Sequence, residues 1–173
     1  MLSVEFVEFI CKKAFLNYLN GRLGLKLAYF NSIHDIQDHD LSLEMSNVLK
    51  KVKIMEPSFG EGNFLIGMFQ VLLDVNLHLN RVLEIGEDQL SIKQRILKDN
   101  LFGVELSESS RARCIDKFRA FFNSEKESEY LLNDTLFKNL KCGNVFDSGG
   151  SFMSHHDFDL VVGNPPYIPW KNV

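Results

Sequence analysis

The chain has 173 residues, of which 45% are hydrophobic and 24% are charged, and its formal net charge is −4 at pH 7. This length and composition suit one globular domain of ordinary size and argue against a disordered chain. The negative balance argues against a self-sufficient DNA-binding protein, because such proteins usually present a basic surface.

The cysteines and the apolar runs bear on the cellular compartment. Cys11, Cys114 and Cys142 are far apart and odd in number, so neither a zinc knuckle nor a disulfide framework is indicated. No secretory signal is visible, and no run approaches the roughly 20 apolar residues that span a bilayer. We therefore predict a cytoplasmic protein with reduced thiols and no membrane partner.

The N-terminal part of the chain predicts helical structure. Residues 4–20 place apolar side chains at helical spacing along one stripe, whereas the polar, Asp-rich residues 31–42 predict a loop. Strands and helices alternate from residue 48 onwards. We therefore predict an N-terminal helical region over 1–47 and a second part over 48–173.

The second part predicts an α/β domain. Strands are predicted over 52–56, 101–105, a short stretch near Lys141, and 158–163. One helix is predicted to begin at Asn63, a second to cover 87–97, and a third to follow an N-cap at Ser107. The third helix is predicted to bury Ala112, Ile115, Phe118 and Phe122. Such alternation predicts a mostly parallel sheet with helices on both faces. Sheets of this kind bind ligands at the carboxyl ends of their strands, and three motifs follow predicted strands.

The first motif follows the strand at 52–56, where residues 56–65 read E-P-S-F-G-E-G-N-F-L. Gly60 and Gly62 lack a Cβ, so the chain can turn sharply and a ligand can approach the backbone. The next helix directs free N–H groups and its positive dipole end at the same place. A glycine pair alone would favour an ordinary turn, but the acid before Pro57 and the N-F-L after Gly62 favour a ligand site.

The second motif is Glu105, at the end of its strand. A carboxylate there can accept hydrogen bonds from both hydroxyls of a ribose. Glu105 lies 43 residues beyond Gly62, whereas the acid of a dinucleotide-binding unit lies about 20 residues beyond the glycines. The spacing therefore argues against a nicotinamide enzyme, and a solvated strand-end carboxylate is the alternative.

The third motif is Asn164-Pro165-Pro166-Tyr167, directly after the strand at 158–163. The two prolines hold the backbone rigid and leave carbonyl acceptors without neighbouring amide donors. Asn164 adds a side-chain carbonyl, and Tyr167 adds an aromatic face. Acceptors beside a stacking surface suit a planar group that carries an NH2.

These motifs resemble those of amino-methylating (N6-adenine) DNA methyltransferases, and their order resembles the methylase part of type IIG restriction-modification enzymes. The resemblance covers roughly residues 48–170 and implies a Rossmann-like methyltransferase fold, here with about four of seven strands. It implies S-adenosyl-L-methionine as the cofactor. Separately, the His and Asp clusters at 34–40 and 155–157 lack regular helical or hairpin spacing, so they predict solvated loops and no metal site. The implied cofactor-binding residues are Glu56, Pro57, Ser58, Gly60, Gly62, Asn63, Phe64, Glu105, Leu106, Asn144 and Val145. The chain departs from the family pattern at Phe59, where a small residue is common, and at Asn144, where Asp is common.

The resemblance also implies a mechanism. Asn164 and the carbonyl of Pro165 would accept hydrogen bonds from the exocyclic amine of an adenine, while Tyr167 would stack on that base after it leaves the duplex. Pro166 would keep the segment rigid. Double-stranded DNA would be contacted through a further C-terminal region or a partner chain. We therefore expect a truncated, split or disrupted gene product that is inactive without a complementing polypeptide.

Three other interpretations stay open. Release-factor glutamine methyltransferases share N-P-P-Y because their substrate is also a planar amide, and ribosomal RNA amino-methyltransferases form a further class. A non-enzymatic interpretation is a remnant that binds the cofactor or a partner subunit without turnover.

Overall fold

The computed structural model describes residues 2–122, 135–136, 138–145 and 157–164. The helices are α1 (Val4–Leu23), α2 (His39–Lys51), α3 (Asn63–Val82), α4 (Gln89–Arg95) and α5 (Glu108–Arg119), and the strands are β1 (Ile54–Glu56), β2 (Leu101–Glu105), β3 (Leu140–Cys142) and β4 (Leu160–Val161). A 3₁₀ segment spans Phe30–Asp35, and a π-helical turn over Ile96–Asn100 continues α4 into β2.

The strands form one parallel sheet in the order β3-β2-β1-β4. The chain moves from β1 through β2 to β3 and then returns to the other side of β1. This reversal between β1 and β4 is a topological switch point, where parallel sheets open a crevice for ligands. The predicted α/β class and parallel sheet are confirmed.

The two faces of the sheet bury different sets of side chains because successive strand residues point to opposite faces. Ile54 and Leu101 belong to the large core that all five described helices share. Met55, Phe102 and Val104 form a second, smaller cluster. In the part of the chain that the structure describes, no helix contributes to this second cluster, so helices on that face stay a prediction.

The helices of the N-terminal region pack on α3. The Ser3 side chain accepts a hydrogen bond from the Phe6 N–H at the start of α1, and Gly24 ends the helix in the left-handed conformation. On α1, Cys11 and Phe15 are fully buried, and Cys11 lies against Gly67 of α3. None of the described helices combines the length and apolar character needed to cross a bilayer.

The predicted loop over 31–42 is wrong at both ends. Residues Phe30–Asp35 are helical, and α2 already begins at His39. Asp38 accepts a hydrogen bond from the Leu41 N–H at 2.8 Å. Aspartate is common in loops but also caps helices, so the Asp-rich stretch concealed a helix start.

Two further expectations need correction. Ala112 is exposed, while Cys114 and Arg111 on the same helix are buried. The Arg111 Nε donates to the Leu140 carbonyl at 2.6 Å, which turns that side of α5 towards β3. The strand predicted over 158–163 is paired only at Leu160–Val161. The other predicted core positions of α5, Ile115, Phe118 and Phe122, are buried.

Candidate functional site

The first two sequence motifs, together with Asn164 of the third, lie at the carboxyl edge of the sheet. Parallel pairing aligns the ends of β1, β2 and β4. The Gly60 N–H donates a 2.7 Å hydrogen bond to Glu105 Oε2, which joins the first motif to the second. A Cβ added to Gly163 would lie 3.3 Å from Glu56 Cγ, so the strand that leads to Asn164 passes beside the first motif.

The glycine loop, residues 57–62, turns through two left-handed positions. Gly60 has φ +54° and Gly62 has φ +81°, conformations that favour glycine. A Cβ on Gly62 would overlap the sulfur of Cys114 on α5, whereas a Cβ on Gly60 would meet no atom within 4 Å. Gly62 therefore serves close packing, and Gly60 leaves open space beside the backbone.

Phe59 occupies a position where the resemblance expects a small residue. Its side chain is only 3% exposed, and its ring packs where a Cβ of Gly103 would lie. The Phe59 N–H donates to the Val104 carbonyl at 3.2 Å. A large residue fits in the glycine loop because β2 carries a glycine directly beneath it.

Glu105 connects the glycine loop to the start of α5. Its Oε2 accepts from the Gly60 N–H, and its Oε1 accepts from the Ser107 N–H at 2.9 Å. Because each carboxylate oxygen can accept two hydrogen bonds, these two backbone donors leave acceptor capacity on both oxygens. The neighbouring Leu106 is 74% exposed and offers an apolar surface beside the carboxylate.

Glu56 is a buried carboxyl group at the end of β1, with 3% of its surface exposed. The Leu65 N–H donates to its Oε2 at 3.1 Å. Burial raises the pKa of Glu56 well above its ordinary value, and the negative charge of Glu105 raises it further, while the Leu65 hydrogen bond opposes the shift. A bound cationic group would favour the ionised form of this carboxyl.

The end of β3 completes the edge beside β2. Glu105 pairs with Cys142, and the Gly143 N–H donates to the Glu105 carbonyl at 2.9 Å. Asn144 is exposed there, and Val145 is half-buried against the second core cluster. Cys142, which sequence reasoning did not include, is exposed, and its Sγ–H donates to the Leu106 carbonyl at 3.5 Å.

The remaining predicted site residues differ in their surroundings. Pro57 and Ser58 are half-buried in the glycine loop, and Asn63 is exposed at the start of α3. Phe64 is buried in the large core, so its side chain packs there instead of facing a ligand. Asn164 is exposed beyond β4. The other three members of the third motif, Pro165, Pro166 and Tyr167, lie outside the described residues.

Sequence reasoning also missed an ionic contact to the glycine loop. Arg113 Nε lies 2.8 Å from Glu61 Oε1, and Lys117 Nζ lies 3.1 Å from Glu61 Oε2. Lys117 and Arg113 together lower the pKa of Glu61 below its ordinary value. The available signal was the spacing of the two cations, four residues apart on one face of α5.

The fold is α/β, and its carboxyl edge at the switch point carries the glycine loop, Glu56 and Glu105. In comparisons with known proteins, no family model matches the chain and no curated protein sequence is similar to it. The functional assignment therefore rests on the motifs and on the contacts between them.

Proposed function

We propose that this chain carries the cofactor site and the amine-binding asparagine of a site-specific DNA adenine N6-methyltransferase of a restriction-modification system. The methyl donor is S-adenosyl-L-methionine. The observation that carries the proposal is the hydrogen bond from the Gly60 N–H to Glu105. It joins the glycine loop to the carboxylate proposed to bind the ribose, at the switch point of a parallel sheet.

The residues at this edge fit the cofactor chemically. Glu105 has acceptor capacity for the two ribose hydroxyls, and the exposed Leu106 can pack on an adenine ring. The open space at Gly60 lets a ligand approach the backbone at the start of α3. The carboxyl of Glu56 matches a positively charged ligand, which would offset the unfavourable burial of its ionised form.

The bound cofactor supplies an electrophilic methyl group on a sulfonium centre. Asn164 would accept a hydrogen bond from the exocyclic amine of adenine and orient that nitrogen. The methyl group would pass from the sulfonium to the amine nitrogen, and the displaced amine proton would go to solvent. An acceptor placed where positive charge develops on nitrogen lowers the barrier without a strong general base. The resemblance assigns a second acceptor to the Pro165 carbonyl and the stacking surface to Tyr167.

The composition of this chain argues against DNA binding by the chain alone. A net charge of −4 gives no general attraction to phosphates. We therefore assign duplex binding and sequence recognition to a basic surface on a further C-terminal region or on a partner polypeptide. Single-stranded DNA needs no base flipping, so it is the substrate that tests the chemistry by itself.

The test is a transfer assay with methyl-labelled cofactor and a high concentration of single-stranded oligodeoxynucleotide. We expect slow labelling of adenine-containing oligonucleotides, no labelling of adenine-free ones, and loss of labelling in Asn164→Ala. Parallel reactions contain a release factor and ribosomal RNA. Labelling of either one in place of DNA would transfer the chain to another methyltransferase class, and cofactor binding with no labelled substrate would identify a non-catalytic remnant.

A further inference from the structure

Three side chains of the β2–α5 unit hold the glycine loop from one side. Arg113 and Lys117 contact the carboxylate of Glu61 at 2.8 Å and 3.1 Å. Cys114, between them on α5, packs against Gly62 so closely that no Cβ would fit. The loop that begins after β1 is thus fixed by a helix that follows β2.

The contact extends to both sides of the loop. Lys117 Nζ also donates to Asn63 Oδ1 at 3.4 Å, at the first residue of α3. On the other side, Glu105 holds the Gly60 N–H. Glu61 therefore lies between two loop residues with left-handed backbones, and its ion pairs oppose rotation of the segment from Gly60 to Gly62.

These ion pairs are too exposed to contribute much to global stability. The side chains of Arg113, Glu61 and Lys117 are 53%, 41% and 39% exposed. Exposed pairs contribute little to the free energy of unfolding and are screened by salt. Two cations on one face of α5 contact the same carboxylate, and this geometry restricts the local conformation of the loop.

We infer that Glu61, held by Arg113 and Lys117, is a positioning residue that presets the glycine loop for cofactor binding and makes the cofactor affinity depend on ionic strength. This inference rests on the proposed function. Glu61 acts through the backbone of Gly60 and Gly62 and not by touching the cofactor. Loss of the ion pairs therefore leaves a folded protein whose loop must be ordered by the ligand itself.

The experiment compares Glu61→Gln with Asp116→Asn by calorimetry with S-adenosyl-L-methionine. Asp116 pairs with Arg119 elsewhere on α5, so its variant makes the same change of charge without touching the loop. We expect Glu61→Gln to weaken binding about threefold at low salt, the size of effect expected from exposed ion pairs, and Asp116→Asn to bind like the parent. The difference from the parent should shrink as salt rises.

A double variant, Arg113→Met with Lys117→Met, separates positioning from direct attraction. If Glu61 positions the loop, removing its cationic partners weakens binding as Glu61→Gln does. If Glu61 instead attracted the sulfonium through space, freeing its charge would strengthen binding, and that result would overturn the inference. Unchanged affinity in both variants would overturn it as well.

Hydrogen exchange of the loop amides, measured without any cofactor, keeps this inference distinct from the proposed function. We expect faster exchange at residues 60–62 in Glu61→Gln than in Asp116→Asn, with equal thermal midpoints. If the parent chain does not bind S-adenosyl-L-methionine, the proposed function fails while the exchange result still reports on the ion pairs. Equal exchange in the two variants contradicts the positioning role even if the parent binds the cofactor.

Discussion

The two sides of β1 are held in different ways. On the β2 side, the glycine loop is fixed by Glu105, by the ion pairs of Glu61 and by the packing of Gly62 on α5. On the β4 side, a two-residue strand pairs with β1, and the chain beyond Val162 becomes exposed at Gly163 and Asn164. The side proposed to bind the cofactor is therefore held by several contacts, whereas the residue proposed to hold the amine lies at an exposed strand end.

This difference predicts that binding and transfer respond to different substitutions. Changes on the β2 side should alter cofactor affinity, and those that disturb its close packing should also lower stability. Changes beyond β4 should leave both intact and abolish only methyl transfer.

Gly62→Ala should cause the largest loss. The new Cβ would overlap Cys114 Sγ at a left-handed backbone position, so we expect a loss of roughly 3 kcal/mol in the free energy of unfolding. Gly60→Ala is the matched control, because it has the same backbone strain but open space, and it should lose about 1–2 kcal/mol. Denaturant titration measures both. Adding Cys114→Ala to Gly62→Ala should recover part of the loss, and no recovery would show that the overlap is not the cause.

Glu105→Gln should weaken S-adenosyl-L-methionine binding at least about tenfold, nearly as much as Glu105→Ala, because charged hydrogen bonds are lost. The carboxylate accepts from backbone N–H groups on both oxygens. A glutamine would therefore place its NH2 group opposite one of those donors, the N–H of Gly60 or the N–H of Ser107. Calorimetry checks this, and full affinity in Glu105→Gln would contradict the assigned contact.

Much of this β2 side could be predicted from the sequence, because local patterns determine it. The apolar strands, the glycine pair and the N-cap Ser107 are recognisable from short stretches of sequence. The structure has β1, β2, α3 and α5 at the positions that these patterns predict. The closing contacts could not be predicted. Glu61 meets Lys117 across 56 positions of sequence, and only the fold brings them together.

The errors have the same origin. The exposed Ala112 and the buried Arg111 reflect the rotation of α5 towards β3, a tertiary effect that helical periodicity cannot detect. The start of α2 was missed because aspartate is common both in loops and at helix N-caps, and Asp38 caps this helix. The two-residue pairing of β4 depends on its position at the edge of the described sheet.

Glu56→Gln should stabilise the chain at neutral pH. The pKa of Glu56 is raised in the folded state, so the folded chain holds the proton more tightly than the unfolded chain does. Stability therefore falls as the pH rises from the ordinary value of 4.5 towards the raised value. Glutamine keeps the acceptor for the Leu65 N–H without the charge.

We expect the thermal midpoint of Glu56→Gln to be about 3 °C above that of the parent at pH 7, a shift that corresponds to about 1 kcal/mol in a domain of this size. The difference should vanish near pH 4. A higher thermal midpoint for the parent than for Glu56→Gln at neutral pH would contradict the claim that burial disfavours the ionised Glu56. Cofactor binding should weaken in the same variant, since the carboxyl no longer offers a charge.

Asn164→Ala should have the smallest effect on binding. Asn164 is exposed beyond β4, so we expect its variant to bind S-adenosyl-L-methionine within about twofold of the parent, a difference below roughly 0.5 kcal/mol. Isothermal calorimetry provides the comparison. A large loss of affinity would show that the two sides of β1 are not separable and that Asn164 also holds the cofactor.

The most direct test of the central claim is hydrogen exchange of the whole chain with and without S-adenosyl-L-methionine. We predict new protection in residues 57–65 and 105–107, at the carboxyl edge where the glycine loop meets Glu105, and unchanged exchange in α2 and the amino ends of the strands. Absence of protection, or protection at the amino ends instead, would contradict a cofactor site at the switch point.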